Sequence, residues 1–208
     1  MEWSGFVKQF VAIFAVIDPV GAVFFFIMFT RNLPPREKAR TVYVAPAAMA
    51  LTLMLAFFWG ENLLWLFGIS IYSFMAGGGI LILLTAIAMM GAYAPLLKST
   101  AAEEREAEES QNVAVVPLAV PLLAGPGAIT TVIIAHNAAQ SLAAGTMMVA
   151  IIAVIAVITL LLFMQADRIA ALLGRTGMNI FTRLLGLILT SYAVEIIAAG
   201  IKGLFSGH

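Results

Sequence analysis

The sequence predicts an all-α membrane protein of six transmembrane helices, built as two inverted three-helix repeats with helices 1 and 4 discontinuous. Three observations lead there: an apolar composition, two apolar runs interrupted at corresponding places, and glycines recurring at a fixed offset. Of the 208 residues, 62% are hydrophobic and 11% charged. A soluble domain carries about a quarter charged residues, so the chain belongs in a bilayer. Formal net charge is zero, which argues against a nucleic-acid partner. There are no cysteines, so no disulfide or thiolate metal site exists. The two histidines, His136 and His208, are too few and too separated for a histidine metal cluster. No cofactor is expected.

The first span covers Phe6 to Phe29 and is interrupted by Ile17-Asp18-Pro19-Val20-Gly21. Lys8 followed by an apolar stretch resembles the start of a signal peptide. The run resumes at Val20 with no small-residue cleavage site between the pieces, which favours a broken transmembrane helix. An aspartate at the centre of a membrane helix costs roughly 2.5–3.5 kcal/mol on insertion scales, and proline removes a backbone hydrogen bond. A polar turn, Thr30 to Pro35, leads to the second span, about 41–59, closed by Glu61-Asn62. The third span, about 63–90, holds Gly77-Gly78-Gly79 near its middle. The polar stretch 93–112, rich in glutamate, reads as a linker. The fourth span, about 113–135, carries the second interruption, Ala124-Gly125-Pro126-Gly127-Ala128. The fifth is about 146–164 and the sixth about 180–204.

The halves match in step. Pro19 and Pro126 are 107 positions apart, while Gly68/Gly177 and Gly77/Gly186 are each 109 apart. At the second offset Ile71 meets Ile180, Tyr72 meets Phe181 and Ser73 meets Thr182. Repeat one is therefore 1–92 and repeat two 113–208 within a single membrane domain. A unit of three crossings re-enters the membrane upside down, so the repeats are inverted. Orientation follows from the basic residues. Arg31, Arg36, Lys38, Arg40, Lys98, Arg105, Arg168, Arg175 and Arg183 fall on one side, against Lys8 and Lys202 on the other. Nine against two places both termini on the non-cytoplasmic side.

Two interrupted spans in corresponding positions point to a transporter binding site. The second half of each broken helix starts at mid-membrane, and each N-terminus carries about half a positive charge. A zwitterion suits such a place: carboxylate to free N–H groups, ammonium to carbonyls or an acid. The breaks differ chemically. Asp18 before Pro19 has the form of an N-cap followed by proline at the first helical position, with Gly21 in the same turn. Gly125 offers no side-chain cap and Pro126 has no N–H. The N–H groups of Gly127, Ala128 and Ile129 are then expected to bind a substrate carboxylate, with the Thr130 and Thr131 hydroxyls close by. Asp18 is expected near the ammonium, or as a proton carrier; a plain cap is the alternative. Thr130 and Thr131 bonding back to their own helix is another. Glu195, the other acid within a span, is a second candidate for proton coupling, the alternative being a hydrogen bond to Tyr192 or a neighbouring backbone group. Gly77 and Gly78 are expected at the cavity wall, where glycine lets helices approach closely.

Five segments together resemble the MarC family of prokaryotic inner-membrane proteins. They are Phe67-Gly68-Ile69-Ser70-Ile71, Ala76-Gly77-Gly78, Val116-Pro117-Leu118-Ala119-Val120-Pro121-Leu122, Ala124-Gly125-Pro126-Gly127-Ala128-Ile129 and Thr182-Arg183-Leu184-Leu185-Gly186. The resemblance covers essentially the whole chain. It implies six spans in two inverted repeats with helices 1 and 4 broken, and a prokaryotic cytoplasmic membrane location. Some relatives transport glycine, alanine and other small neutral amino acids with the proton gradient. The family often has asparagine where this chain has Asp18.

The expected function is a secondary transporter of small neutral amino acids, coupled to protons and working by alternating access around the paired breaks. Its partners are then the amino acid, protons and the lipid bilayer. An enzyme is not expected, since no nucleophile–base constellation is visible. A non-transporting membrane scaffold, a channel, or an exporter of another small solute are the alternatives. A scaffold predicts that Asp18 and Glu195 are satisfied internally and that no cavity exists at the breaks. Substrate, transport direction and oligomeric state are not legible in the residues.

Overall fold

The computed structural model describes residues 3–91, 118–119, 122–138 and 141–206. The linker at 93–112 and the start of the fourth span at 113–117 lie outside the described residues. Among the described residues there are helices and turns and no strand. Seven helices follow in order: α1 (Trp3–Ile17), α2 (Pro19–Thr30), α3 (Pro35–Leu66), α4 (Ile71–Met90), α5 (Pro126–Ala138), α6 (Leu142–Met164) and α7 (Ala166–Ser206). Among the described residues, five stretches are long and apolar enough to cross a membrane: Phe6–Thr30, Pro35–Leu66, Ile71–Met90, Leu142–Met164 and Thr176–Ser206. Helix α5 has 13 residues, about 20 Å at 1.5 Å per residue, short of the ~30 Å hydrocarbon core.

The interrupted segments form the centre of the bundle. In the first span, 67% of the most apolar window is buried, against 33% for α4 and α6. Between Gly127 and Ala135 of α5 every residue except Ile129 is buried. Around them pack Met49, Leu53 and Phe57 of α3, Ile82 and Met89 of α4, and Ile151, Ile155 and Phe163 of α6. Phe26 of α2 stacks on Phe163 with ring centroids 4.6 Å apart. The remaining helices turn one face outward. Leu81, Leu84 and Ile87 of α4 and Leu184 and Leu187 of α7 are exposed, as suits surfaces meeting lipid.

Two boundaries differ from the sequence expectation. Glu61-Asn62 does not close α3, because Glu61 is held sideways by the Asn137 amide of α5 at 3.0 Å. The stop comes at Gly68, whose φ of +67° is open to glycine at little cost. Its N–H donates to Trp65 O at 3.0 Å and the Ile69 N–H to Leu64 O at 2.9 Å, a Schellman closure. Ser70 then caps α4, accepting from Ser73 N at 3.0 Å. Helix α7 starts before the expected sixth span and bends at Gly174, where φ is 59° and ψ −177°, a backbone region essentially confined to glycine. An outer piece is thereby separated from the apolar stretch Thr176–Ser206.

Helices α4 and α7 make the most extensive pairing in the molecule. Gly186 faces Ala86, Gly79 faces Ile197, Gly200 faces Ala76 and Gly203 faces Tyr72. Numbering rises on one helix as it falls on the other, so the pair is antiparallel. Small residues bring the backbones together, as in membrane helix pairs generally. A Cβ on Gly200 would lie 2.7 Å from Ala76 N and 2.8 Å from Tyr72 O, and backbone atoms cannot swing aside. Gly77, by contrast, is exposed with nothing within 4 Å of an added Cβ. Close approach rests on Gly78, Gly79, Gly186 and Gly200 instead.

Gly200→Ala is expected to lower unfolding stability in detergent by about 1–3 kcal/mol through overpacking. Gly77→Ala is expected to leave it unchanged or raise it by up to about 1 kcal/mol through helix propensity. Equal losses at both positions in thermal unfolding would refute this account of the seam.

Candidate functional site: the paired helix interruptions

Asp18 is the single residue separating α1 from α2, and it has left-handed backbone angles, φ 48° and ψ 63°. Among the described residues it is the one non-glycine with positive φ. Aspartate tolerates this region better than most residues because its short side chain bonds locally. The local bonding is complete. Asp18 N donates to Phe14 O at 2.9 Å, finishing α1, and Asp18 O accepts from Ala22 N at 2.9 Å, starting α2. Its Oδ1 accepts from Gly21 N at 3.0 Å. Pro19 occupies the first helical position, where a missing N–H costs little. The other oxygen, Oδ2, accepts from Thr182 Oγ1 of α7 at 2.9 Å. The residue is 2% exposed. Gly21 makes the fold-back possible, since a Cβ there would collide with Asp18 Oδ2 and lie 2.8 Å from Thr182 Oγ1.

The second interruption is closed differently. Ala124 N donates to Ala119 O at 2.8 Å, a π-type turn of the kind that often marks functional sites. Gly125 follows outside any helix, and α5 starts at Pro126. The Ile129 N–H donates to Gly125 O at 3.0 Å, so it is engaged and not free for a ligand as the sequence led us to expect. Gly127 and Ala128 are left as the helix-start amides without an intrahelical acceptor. Thr131 Oγ1 donates to Gly127 O at 2.8 Å, the back-bonded alternative, while the Thr130 methyl packs on Gly78. Thr130, Thr131 and Ala128 are all buried.

The two interruptions meet. A Cβ on Gly127 would lie 3.2 Å from Val16 Cγ1, 3.6 Å from Ile82 Cγ1 and 3.9 Å from Thr85 Oγ1. The end of α1 therefore touches the start of α5, with α4 closing the side. Asp18 and Pro19 are buried, as are Gly127, Ala128, Thr130 and Thr131, while Gly21, Gly125 and Ile129 are half-buried and Pro126 is exposed. Glu195 lies elsewhere. Its Oε1 sits 2.6 Å from Lys8 Nζ, with both side chains 59% exposed. Lys8 is ten residues from Asp18, about 15 Å along a helix. Glu195 pairs with Lys8 because α1 and α7 run antiparallel, with Lys8 opposite Glu195 and Asp18 opposite Thr182. Thr182 was missed as a site residue; its signal was the match to Ser73 at the 109-residue offset. A further polar group gathers where α3 and α5 end. There His136 Nε2 is 3.6 Å from Glu61 Oε2 and edge-on to Phe57. Among the described residues no three His, Asp or Glu side chains gather as metal ligands.

The model of the MarC family of integral membrane proteins matches residues 3–205. The chain belongs to the MarC family. Similar proteins include the UPF0056 membrane protein YhcE of Escherichia coli, 36% identical over 99% of this chain and 96% of that protein. The UPF0056 membrane protein YvbG of Bacillus subtilis is 36% identical over 99% and 98%. An archaeal UPF0056 membrane protein of Methanocaldococcus jannaschii, MJ1677, is 37% identical over 98% of each chain. No solved structure matches with significance. The MarC chain is thus a multi-pass integral membrane protein whose relatives are found in bacteria and archaea.

Removing the cap should be measurable. Asp18→Ala is expected to destabilise the MarC chain by about 1–3 kcal/mol, from loss of a cap and of the Thr182 bond. In a double-mutant cycle with Thr182→Val the two losses are expected to be non-additive by about 0.5 kcal/mol or more. Strict additivity in denaturant unfolding would remove the Asp18–Thr182 bond from the account.

Proposed function

We propose that this chain is a secondary transporter of small neutral amino acids of the glycine and alanine type, coupled to protons. It works by alternating access around the paired helix interruptions. The observation that carries the reading is the meeting of Val16 with Gly127, which sets the start of α5 against the end of α1 in the buried centre. The Gly127 and Ala128 amides supply the donors for a carboxylate, and Asp18 is a buried acid two residues along the chain from Val16. Tight packing at this centre fits a closed state, in which a solute enters only when the helices part.

The six-span inverted-repeat arrangement belongs to the same proposal. Support comes from the antiparallel α4–α7 seam and from the matched offsets between Pro19 and Pro126 and between Ser73 and Thr182. The membrane in this reading is the prokaryotic cytoplasmic membrane, with both termini on the non-cytoplasmic side, an orientation that the basic-residue count supports. The linker and the basic ends of α3 and α7 then face the cytoplasm. A second reading, a non-transporting scaffold, draws on two observations: both carboxylate oxygens of Asp18 are bonded internally, and Glu195 is paired with Lys8. Uptake separates the two.

Proteoliposomes carrying the protein are expected to accumulate alanine and glycine when a proton gradient is imposed. Gly127→Leu is expected to abolish both uptake and counterflow; unchanged transport would remove the carboxylate site from the centre. Asp18→Asn keeps an oxygen for the cap and removes the titratable group. It is expected to retain counterflow while losing gradient-driven accumulation, and full accumulation would take Asp18 out of coupling. No uptake of any amino acid by the wild-type protein would favour the scaffold.

A further inference from the structure

Between α1 and α7, on the far side of Asp18, is a cavity of about 600 Å³ whose polar lining is Lys8, Glu195, Ser191 and Tyr192 and whose apolar lining includes Val11 and Ile188. It does not include any residue of the paired interruptions, so it is a separate place on the same seam. Glu195 lies 11 residues from the end of α7 at Ser206, about 16 Å along the helix. Ionisable side chains within a span are functional candidates by default. Glu195 lies in the apolar stretch Thr176–Ser206 and Lys8 near the start of the first one. Their side chains are each 59% exposed and line the cavity, so the pair is not enclosed by protein.

We propose that Lys8 and Glu195 form an outer docking site for a zwitterionic α-amino acid, which reaches it before the buried centre. The proposal deepens the transport reading and rests on it for the direction of travel. A ligand carboxylate replaces Glu195 on Lys8, and a ligand ammonium replaces Lys8 on Glu195. One intramolecular pair becomes two intermolecular pairs, and net charge at the site stays at zero. A monocarboxylate or a simple amine satisfies one charge and leaves the other unpaired in an apolar wall, so it is rejected. A ligand with a second charge is rejected on the same ground. The Val11 and Ile188 side chains leave room for a small aliphatic group, and the Ser191 and Tyr192 hydroxyls offer hydrogen bonds at the wall. Asp18 and Thr182 follow on the same two helices, toward the cytoplasm, so a solute released from Lys8 and Glu195 moves along one seam to the interruptions.

Calorimetry on the purified full chain in a neutral maltoside detergent, with L-alanine as probe, tests this. The Gly127→Leu variant isolates the outer site and is expected to bind alanine still. Glu195→Gln and Lys8→Gln, each in that background, are expected to weaken binding about tenfold or more. The double exchange Lys8→Glu with Glu195→Lys is expected to recover binding to within about threefold of its parent. Propionate and ethylamine are expected not to compete. Unchanged alanine affinity in Glu195→Gln overturns the outer site, while uptake by the wild-type protein would leave the transport reading intact. Displacement of alanine by phosphatidylethanolamine, lost in Glu195→Gln, would make the cavity a lipid site and overturn the proposal as well. Absence of any alanine binding to the Gly127→Leu protein does the same.

Discussion

The hydrogen bonding of Asp18 is the constraint on which the architecture depends. A bilayer has no water to satisfy loose backbone groups, so an interrupted helix survives only where protein encloses it. Left-handed backbone at a non-glycine residue costs about 1–2 kcal/mol. A cap on the following helix offsets about 1 kcal/mol of that, and a further hydrogen bond such as that from Thr182 about 0.5–1.5 kcal/mol. With the carboxylate folded onto Gly21 and held by Thr182, α2 begins with its first turn closed. The interruption is thus a defined corner, and it is tied to α7 by a contact between residues 164 positions apart.

The need for enclosure explains the arrangement of the other helices. α1, α2 and α5 occupy the buried centre, and α3, α4, α6 and α7 surround them with one face outward. Surrounding helices must come close to leave no gap, and small residues allow it. Gly78 admits Thr130, Gly79 admits Ile196 and Ile197, and Gly186 admits Met89. The two centres of interruption are chemically unlike: one is capped by a carboxylate, the other opens with Pro126 and two amides that have no intrahelical acceptor. The first brings an acid and the second N–H donors, complementary chemistry on which the proposed function draws.

Antiparallel pairing of the first span with α7 gives the molecule a polar line through an apolar body. Lys8 and Glu195 mark its outer part, and Asp18 and Thr182 its buried part. The outer pair is open and the inner one enclosed, a difference set by position along the same two helices.

How much was legible in the residues follows from which interactions are local. Composition and run length determined the membrane class, and Asp-Pro and Gly-Pro inside apolar runs marked the places where the backbone is no longer a plain helix. An N-cap three residues from its donor is a local event, so Asp18 on Gly21 could be read from spacing alone. The boundary at Gly68 was misplaced because Glu61 and Asn62 look like a polar stop, whereas Asn137, 76 positions away, takes up the Glu61 carboxylate. Whether Gly77 or Gly78 faces a neighbour depends on helix rotation, which only packing sets. Ile129 lost its expected free N–H to Gly125 O, a matter of where the first turn of α5 begins. Thr182 on Asp18, Lys8 on Glu195 and Val16 against Gly127 join residues more than a hundred positions apart. Sequence determined which groups had to find partners in an apolar medium; tertiary structure decided the partners, because the choice depends on which helix faces come together.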